Sequence, residues 1–512
     1  MQLAVVGTFL AGDAWDVANT LPNIIYLLLA GGVLNAVLVP QITKAASHAD
    51  GGREYVDRLL TISMVGIAVI AVVFTLGAGL LVRLYSTPTW AADTRSLSIA
   101  FALICMPQIF FYGLYTLLGQ VLNARSHFAA YMWAPVVANL VAIAGLGYFL
   151  TNYPDQAPVG GWSSSMVWVL AGSATAGVAA QALVLIVPLW RSGFRFTPRW
   201  GFRGAGLRMA SRVALWTFAA LAVSTVGFII TSRVLTYAGE AGHRAGLVVP
   251  GKISYSNAFL IFMLPHSLVT VSLVTALFTR MSRSAHTNDL REVRADVTTG
   301  LRLTAVATIP ATLGAVVLGF VATATLFRGN SEASTRGIAL VMMAMMLGLV
   351  PFGILYLVQR VFYAFEDAKT PFRIQIVVTV VATVANLASL LLPVRLIAVG
   401  VGSGQSVSNL AGMAVGLILV RRRLEVLHLR DVVRTYARIG VASVVASAGA
   451  YLVLLGVGQV LHGKLYNPVA LLAGGLAFAV IYVDMARRLR VREIDDLVSP
   501  VLARMRRVLP GR

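Results

Sequence analysis

The chain has 512 residues, of which 58% are hydrophobic and only 12% charged. Soluble domains carry about 25% charged residues, so this composition excludes an ordinary soluble fold and points to an all-α polytopic membrane protein. The formal net charge of +21 is high enough for a nucleic-acid binder, but the arginines crowd short loops between apolar runs, which reads as anchoring at an anionic leaflet with no nucleic-acid partner. Cys105, the one cysteine, lies inside an apolar run, so neither a disulfide framework nor a cysteine metal cluster is expected.

The chain opens with MQLAVVGTFLAG, which is apolar but only about half the length needed to cross a bilayer. The stretch Asp13–Pro40 follows. It carries Asp13, Asp16, Asn19, Asn23 and Asn35, together with Pro22 and the pair Gly31-Gly32. A polar group in hydrocarbon costs several kcal/mol unless it faces protein or a wet cavity. A span near 14–44 therefore reads as a bent helix lining an interior space. Further spans fall near 58–84, 96–122, 128–151, 165–190, 210–237, 251–280, 301–327, 336–364, 373–393, 396–420, 437–457 and 465–486.

Loop charges give the expected topology. Arg191, Arg195, Arg199, Arg203, Arg208 and Arg212 crowd one loop, Arg280, Arg283, Arg291, Arg294 and Arg302 a second, and Arg421, Arg422, Arg423, Arg430, Arg434 and Arg438 a third. The alternate loops are poor in such residues: TNYPDQAPVGGWSSS has none, and RGNSEASTR has only Arg328 and Arg336. The arginine-rich loops are then cytoplasmic and the others external. This alternation places the start of the first long helix outside, which leaves residues 1–11 too short to rise from the cytoplasm. The expectation is that the natural protein begins upstream, with fourteen helices and both termini cytoplasmic.

Polar residues recur inside the later spans. Gln108, Asn139, Arg233, Lys252, Asn257, His266, Gln359, Asn386, Gln405 and Asn409 are examples, and Pro107, Pro135, Pro265, Pro310 and Pro351 interrupt the same regions. Broken helices with interior polar groups are a transporter signature, although any single amide also serves as glue between helices. Asp13 has two readings, a cavity or gate carboxylate near the outer mouth and an N-cap of its own helix. Asp16, one turn on, either shares a cation or proton with Asp13 or is solvated. Asn19, Asn23 and Asn35 either bond a polar cargo or bridge helices. The histidines show no metal spacing, and GVGSGQS near Gly400 lacks the lysine of a phosphate-binding loop. With no cofactor and no nucleotide engine in view, transport is expected to draw on the membrane potential or an ion gradient. Asp93, Asp155, Glu240 and Glu332, in short external loops, are too scattered for a membrane enzyme.

Four segments carry a resemblance. GDAWDVANTLPNIIYLLLAGGVLNAVLVPQ, LNARSHFAAYMWAPVVANLV, LPHSLVTVSLVTALFTRMSRSA and RVFYAFEDAKTPFRI follow one another in the order and spacing of motifs in the MurJ (MviN) family, the lipid II flippases. The chain resembles that family over most of its length. The resemblance implies a fold of the multidrug/oligosaccharidyl-lipid/polysaccharide exporter type, with two six-helix lobes around a central cavity. It divides the chain into an N-terminal lobe (1–190), a cytoplasmic linker (191–209), a C-terminal lobe (210–421), two additional helices (422–486) and a basic tail (487–512). The implied cargo is lipid II, an undecaprenyl-diphosphate-linked disaccharide pentapeptide, moved by alternating access across the bacterial plasma membrane for cell-wall synthesis. The alternative is another lipid-linked oligosaccharide, or drugs, carried on the same fold. Implied partners are lipid II, membrane lipids, and cell-wall synthesis and division proteins.

The resemblance sharpens the residue readings. The cavity set is Asp13, Asp16, Asn19, Asn23, Asn35, Asn139, Arg233, Lys252 and Asn257, with Arg233 and Lys252 as cations for a diphosphate. From the residues themselves, Arg360 at a cytoplasmic helix end reads as a snorkelling anchor or, with Glu366 and Asp367, as a gate salt bridge between the lobes. The chain also departs from the family: Ile25, Tyr26 and Leu260 stand where arginines are common, Gly31-Gly32 replaces a Glu-Gly pair, and Leu390 stands where a sodium-binding carboxylate would follow Asn386.

Overall fold

A computed structural model of the chain describes residues 1–29, 53–153, 156–200, 212–425 and 429–494. Every regular element among them is helical. In order these are α1 (Gln2–Val6), α2 (Leu10–Leu29), α3 (Arg53–Leu76), α4 (Ala78–Tyr85), α5 (Ala92–Cys105), α6 (Gln108–Ala124), α7 (Phe128–Asn152), α8 (Ser164–Leu183), α9 (Ile186–Arg191) and α10 (Arg212–Arg244). There follow α11 (Lys252–Pro265), α12 (Val271–His286), α13 (Leu290–Leu326), α14 (Glu332–Met346), α15 (Leu349–Ala364), α16 (Lys369–Ala388), α17 (Ile397–Leu424), α18 (Leu429–Val460) and α19 (Tyr466–Arg488). Short 3₁₀ turns fill some connections, and one π-helical turn, His266–Thr270, joins α11 to α12. The chain divides into two compact units, Met1–Ile253 and Ser254–Arg512.

Among the described residues, eleven helical stretches are long and apolar enough to cross a membrane, or twelve if the bent pair α14 and α15 is one span. They overlap twelve of the thirteen spans read from hydropathy; the other, near 14–44, is described only as far as Leu29. Between 17% and 56% of each apolar window is buried in the protein. The remainder is apolar surface, as in Val72, Val73 and Leu76 of α3, which suits a hydrocarbon solvent. Lipid tails are as apolar as leucine, so close packing rather than escape from water holds such helices together. In the first unit, Leu59 and Leu60 of α3 interdigitate with Leu117 and Leu122 of α6 and with Leu185 and Leu189 beyond α8. In the second, Val293 and Val297 of α13 pack with Leu357 and Val361 of α15 and Val420 of α17.

Helix breaks follow local chemistry. Pro107 separates α5 from α6, because its ring cannot continue the preceding turn. Pro265 precedes the π turn. A bend of 47° separates α14 from α15 at Leu347-Gly348. A side chain at 348 would collide with the backbone of Ser406 on α17. Ser406 in turn donates to the Ala344 carbonyl at 2.6 Å, and the Asn409 amide reaches the Gly348 carbonyl at 3.5 Å. Carbonyls exposed by the break are thus satisfied from the neighbouring helix, as hydrocarbon requires. At the Pro107 break Thr175 of α8 has that role, donating to the Ile104 carbonyl at 2.9 Å while accepting from Gln108 at 2.9 Å.

Candidate functional site at the start of the first long helix

Asp13 lies in the first turn of α2 and is 1% exposed. Its backbone segment is held from behind: Ser98 of α5 donates to the Ala14 carbonyl at 2.9 Å, and Trp15 meets Phe101 edge-on at 5.3 Å. Phe101 meets Trp162 the same way at 5.2 Å. This aromatic stack fixes the direction in which the two carboxylates of α2 project.

They project onto the start of α11. Oδ1 of Asp13 accepts the Ile253 N–H at 2.8 Å. The first N–H groups of a helix have no partner within it, and the positive end of the helix dipole favours an anion there. Asp13 therefore caps a helix about 240 residues downstream, not its own. Its carboxylate lies in a cleft that only glycine permits. A methyl group on Gly239 of α10 or on Gly251 would overlap Oδ2.

Asp16 takes the side chain next to that N–H. Lys252 Nζ pairs with Asp16 Oδ2 at 2.6 Å, with the lysine side chain 1% exposed and the aspartate 15%. The ammonium also lies over the Phe228 ring of α10, 5.1 Å from its centroid. Two carboxylates one turn apart thus engage consecutive residues, one through a backbone amide and the other through a buried cation. One ammonium and one helix terminus share the charge of two carboxylates.

The end of α10 is secured to the connection between α4 and α5. Ser232 donates to the Tyr85 carbonyl at 2.6 Å, and the Thr87 N–H donates to Thr236 at 2.9 Å. Buried Glu240 pairs with Arg244 at 2.9 Å, and Arg244 also donates to the Thr89 carbonyl. The first unit therefore carries, at one end, a fixed platform of α10 and its loop partner, with α2 latched to the start of α11 beside it.

The structure brings together Asp13, Asp16 and Lys252 from the expected cavity set. Arg233 is exposed on α10, and its Nε donates a long 3.4 Å bond to the Ser86 carbonyl. Asn19 is half-buried, and Asn23 and Asn139 are exposed. Asn257 is half-buried in the second unit. Asn35 lies outside the described residues.

The three expected gate residues also belong to the second unit. Arg360 donates to the Tyr356 hydroxyl at 2.8 Å and stacks on the Tyr356 and Phe278 rings. Asp367 accepts from the Thr370 N–H at 3.0 Å and from its hydroxyl at 2.6 Å, which caps the start of α16. Glu366 is exposed with a left-handed φ of 57°. In this conformation no ion pair joins Arg360 to either carboxylate among the described residues.

Sequence reading did not single out Gly239, Gly251, Phe228 or the Ile253 amide. The glycines had a weak signal, in that Gly251 follows Pro250 directly before a charged helix start. A backbone amide leaves no signal in the residue types.

Comparison with known proteins sets this geometry in context. The profile of the family described as "Lipid II flippase MurJ" matches residues 3–466. Among curated relatives, the "Probable lipid II flippase MurJ" of Rhizobium tropici is 26% identical over 411 residues, covering 77% of this chain and 72% of its own length. The "Lipid II flippase MurJ" of Burkholderia cenocepacia is 27% identical over 385 residues, covering 73% and 70%. A solved structure, "Lipid II flippase MurJ, inward closed conformation", superposes with a TM-score of 0.71 at 18% identity, covering 95% of both chains. An inward-facing multidrug resistance MATE family transporter of the MOP superfamily superposes at 0.64 and 15% identity, covering 81% of this chain and 93% of that one. At these identities the structural matches speak for the fold.

Proposed function

This chain belongs to the lipid II flippase MurJ family, and we propose that it moves lipid II from the cytoplasmic to the outer leaflet of the bacterial inner membrane by alternating access. The family match over residues 3–466 carries this reading, and the named relatives, each matched over about three-quarters of this chain, support it. The transporter-type fold with a latched, carboxylate-bearing first long helix is what such a cycle needs.

In this reading the latch end of the first unit is the outer mouth. Asp13 and Asp16 hold α2 to the start of α11 while that mouth is closed. Opening separates them, and the cycle draws its energy from the membrane potential or an ion gradient. Arg360, Glu366 and Asp367 belong to the cytoplasmic side and re-pair there in another state. The released precursor feeds cell-wall synthesis, whose enzymes and division proteins are the expected partners.

Complementation tests the function. In a bacterium depleted of its own lipid II flippase, this chain as sole copy restores growth and restores lipid II on the outer leaflet. Normal membrane insertion without such exposure would transfer the assignment to another lipid-linked glycan or to drugs.

A further inference from the structure

The second unit has a cationic cavity that the latch does not use. It lies where α13 finishes at Leu326, α14 begins at Glu332 and α19 begins at Tyr466, and its volume is about 1010 Å³. Arg328, Arg336 and Lys464 line it, with Glu332 as the one carboxylate and Phe320 and Tyr466 as aromatic walls. From residue 254 onward, the connections at this end of the unit contain three lysines and arginines, Arg328, Arg395 and Lys464, and Arg336 follows in the second turn of α14. Three of these four cations converge on one cavity, two from separate connections and one from α14. Scattered anchoring charges would not do so.

The cations are available. All three are exposed, and none enters an ion pair among the described residues. The Arg336 guanidinium lies 5.7 Å from the Phe320 ring centroid, which orients its fork without neutralising it. Local charge is therefore three positive against one negative. Beside this polar rim, Phe320 and Leu326 of α13 and Val469 of α19 expose apolar surface. Both helices are long and apolar enough to span a bilayer, so the rim falls at the edge of the hydrocarbon.

We infer that this cavity binds the phosphate headgroup of an anionic phospholipid, whose acyl chains run along the exposed apolar side chains of α13 and α19. Guanidinium forks match phosphate oxygens, and the lysine adds a point charge. A zwitterionic headgroup brings its own cation into a site that offers a single carboxylate, so it is disfavoured. A free anion gains nothing from the apolar walls. The site therefore selects for a negative headgroup and an acyl chain together.

The experiment uses the full chain purified in mild detergent, with thermal unfolding and native mass spectrometry as readouts. Phosphatidylglycerol, phosphatidylcholine and inorganic phosphate are added separately to the native chain, to the triple variant Arg328→Gln/Arg336→Gln/Lys464→Gln, and to Arg395→Gln. The expected result is stabilisation and retention of phosphatidylglycerol by the native chain and by Arg395→Gln. The triple variant, melting normally without lipid, binds it about tenfold or more weakly. If the triple variant does not fold, Arg328→Gln and Lys464→Gln singly must each weaken binding. Unchanged affinity in these variants overturns the proposal. Equal binding of phosphatidylcholine would make the cavity an apolar groove without headgroup selection, and equal stabilisation by phosphate alone would make it a free-anion site; either result also overturns it.

Discussion

Lys252 is the residue on which the latch depends most. A fully buried ammonium is tolerable only with a partner, and Asp16 supplies one at 2.6 Å. Asp16→Asn leaves the cation buried without its carboxylate, and the expected loss of stability is about 3 kcal/mol or more. Lys252→Met strands the less buried Asp16 and costs less. Asp16→Asn with Lys252→Met costs less than the sum of the two, because both charges leave together. Thermal unfolding of the four proteins in detergent measures this coupling, and strict additivity would show that the pair is not a unit. The glycine cleft gives a second expectation. Gly251→Ala places a methyl group on the Asp13 carboxylate, whereas the same change at Gly475, which has no neighbour within 4 Å, is open. With both variants at native membrane levels, Gly251→Ala fails to sustain growth as sole copy and Gly475→Ala sustains it. Asp13 was legible in the sequence as a polar residue with no place in a simple anchor. The choice between gate carboxylate and helix cap was not legible, since its partner is an amide about 240 residues away. The structure corrects the cap reading, because Asp13 lies inside α2 and its carboxylate accepts from the start of a different helix, α11.

At the scale of elements, hydropathy located the spans well, since a bilayer demands continuous apolar runs of fixed length. The position of the 47° break between α14 and α15 was less legible. Pro351 is the conspicuous breaker near α15, yet it falls in the first turn of that helix, where proline is tolerated, and the bend lies at Gly348. What selects Gly348 is the approach of Ser406 from α17, a contact that no local pattern announces. Ser406→Ala removes the donor to the Ala344 carbonyl and should lower stability by about 1–2 kcal/mol, as expected for an unsatisfied buried acceptor. Gly348→Ala forces α14–α15 away from α17 and should cost more than Ser406→Ala. The melting temperatures of the two variants rank these effects, and the reverse order would mean that packing at the break is loose.

For the whole molecule, composition, loop charge and the order of four motifs point to the transporter fold. The long-range pairings did not follow from them. Lys252 could be identified as an interior cation, but its carboxylate could not, because Asp16 lies on another helix far back in the chain. The account of transport rests on separation of α2 from the start of α11 during each cycle. The most direct test joins them covalently. In a Cys105→Ala background, which removes the one native cysteine, Asp16→Cys and Lys252→Cys are bridged by a short, reducible bis-thiosulfonate linker. Lys252 is 1% exposed, so labelling there itself requires the latch to open. The measurement is lipid II on the outer leaflet of cells that depend on this protein, before linking, after linking and after reduction. Because both substitutions remove the latch ion pair, exposure before linking starts below the native rate; the account predicts that it stops on linking and returns to its starting level on reduction, while singly substituted controls treated identically keep their own starting levels throughout. Exposure at the unlinked rate by fully linked protein would contradict it.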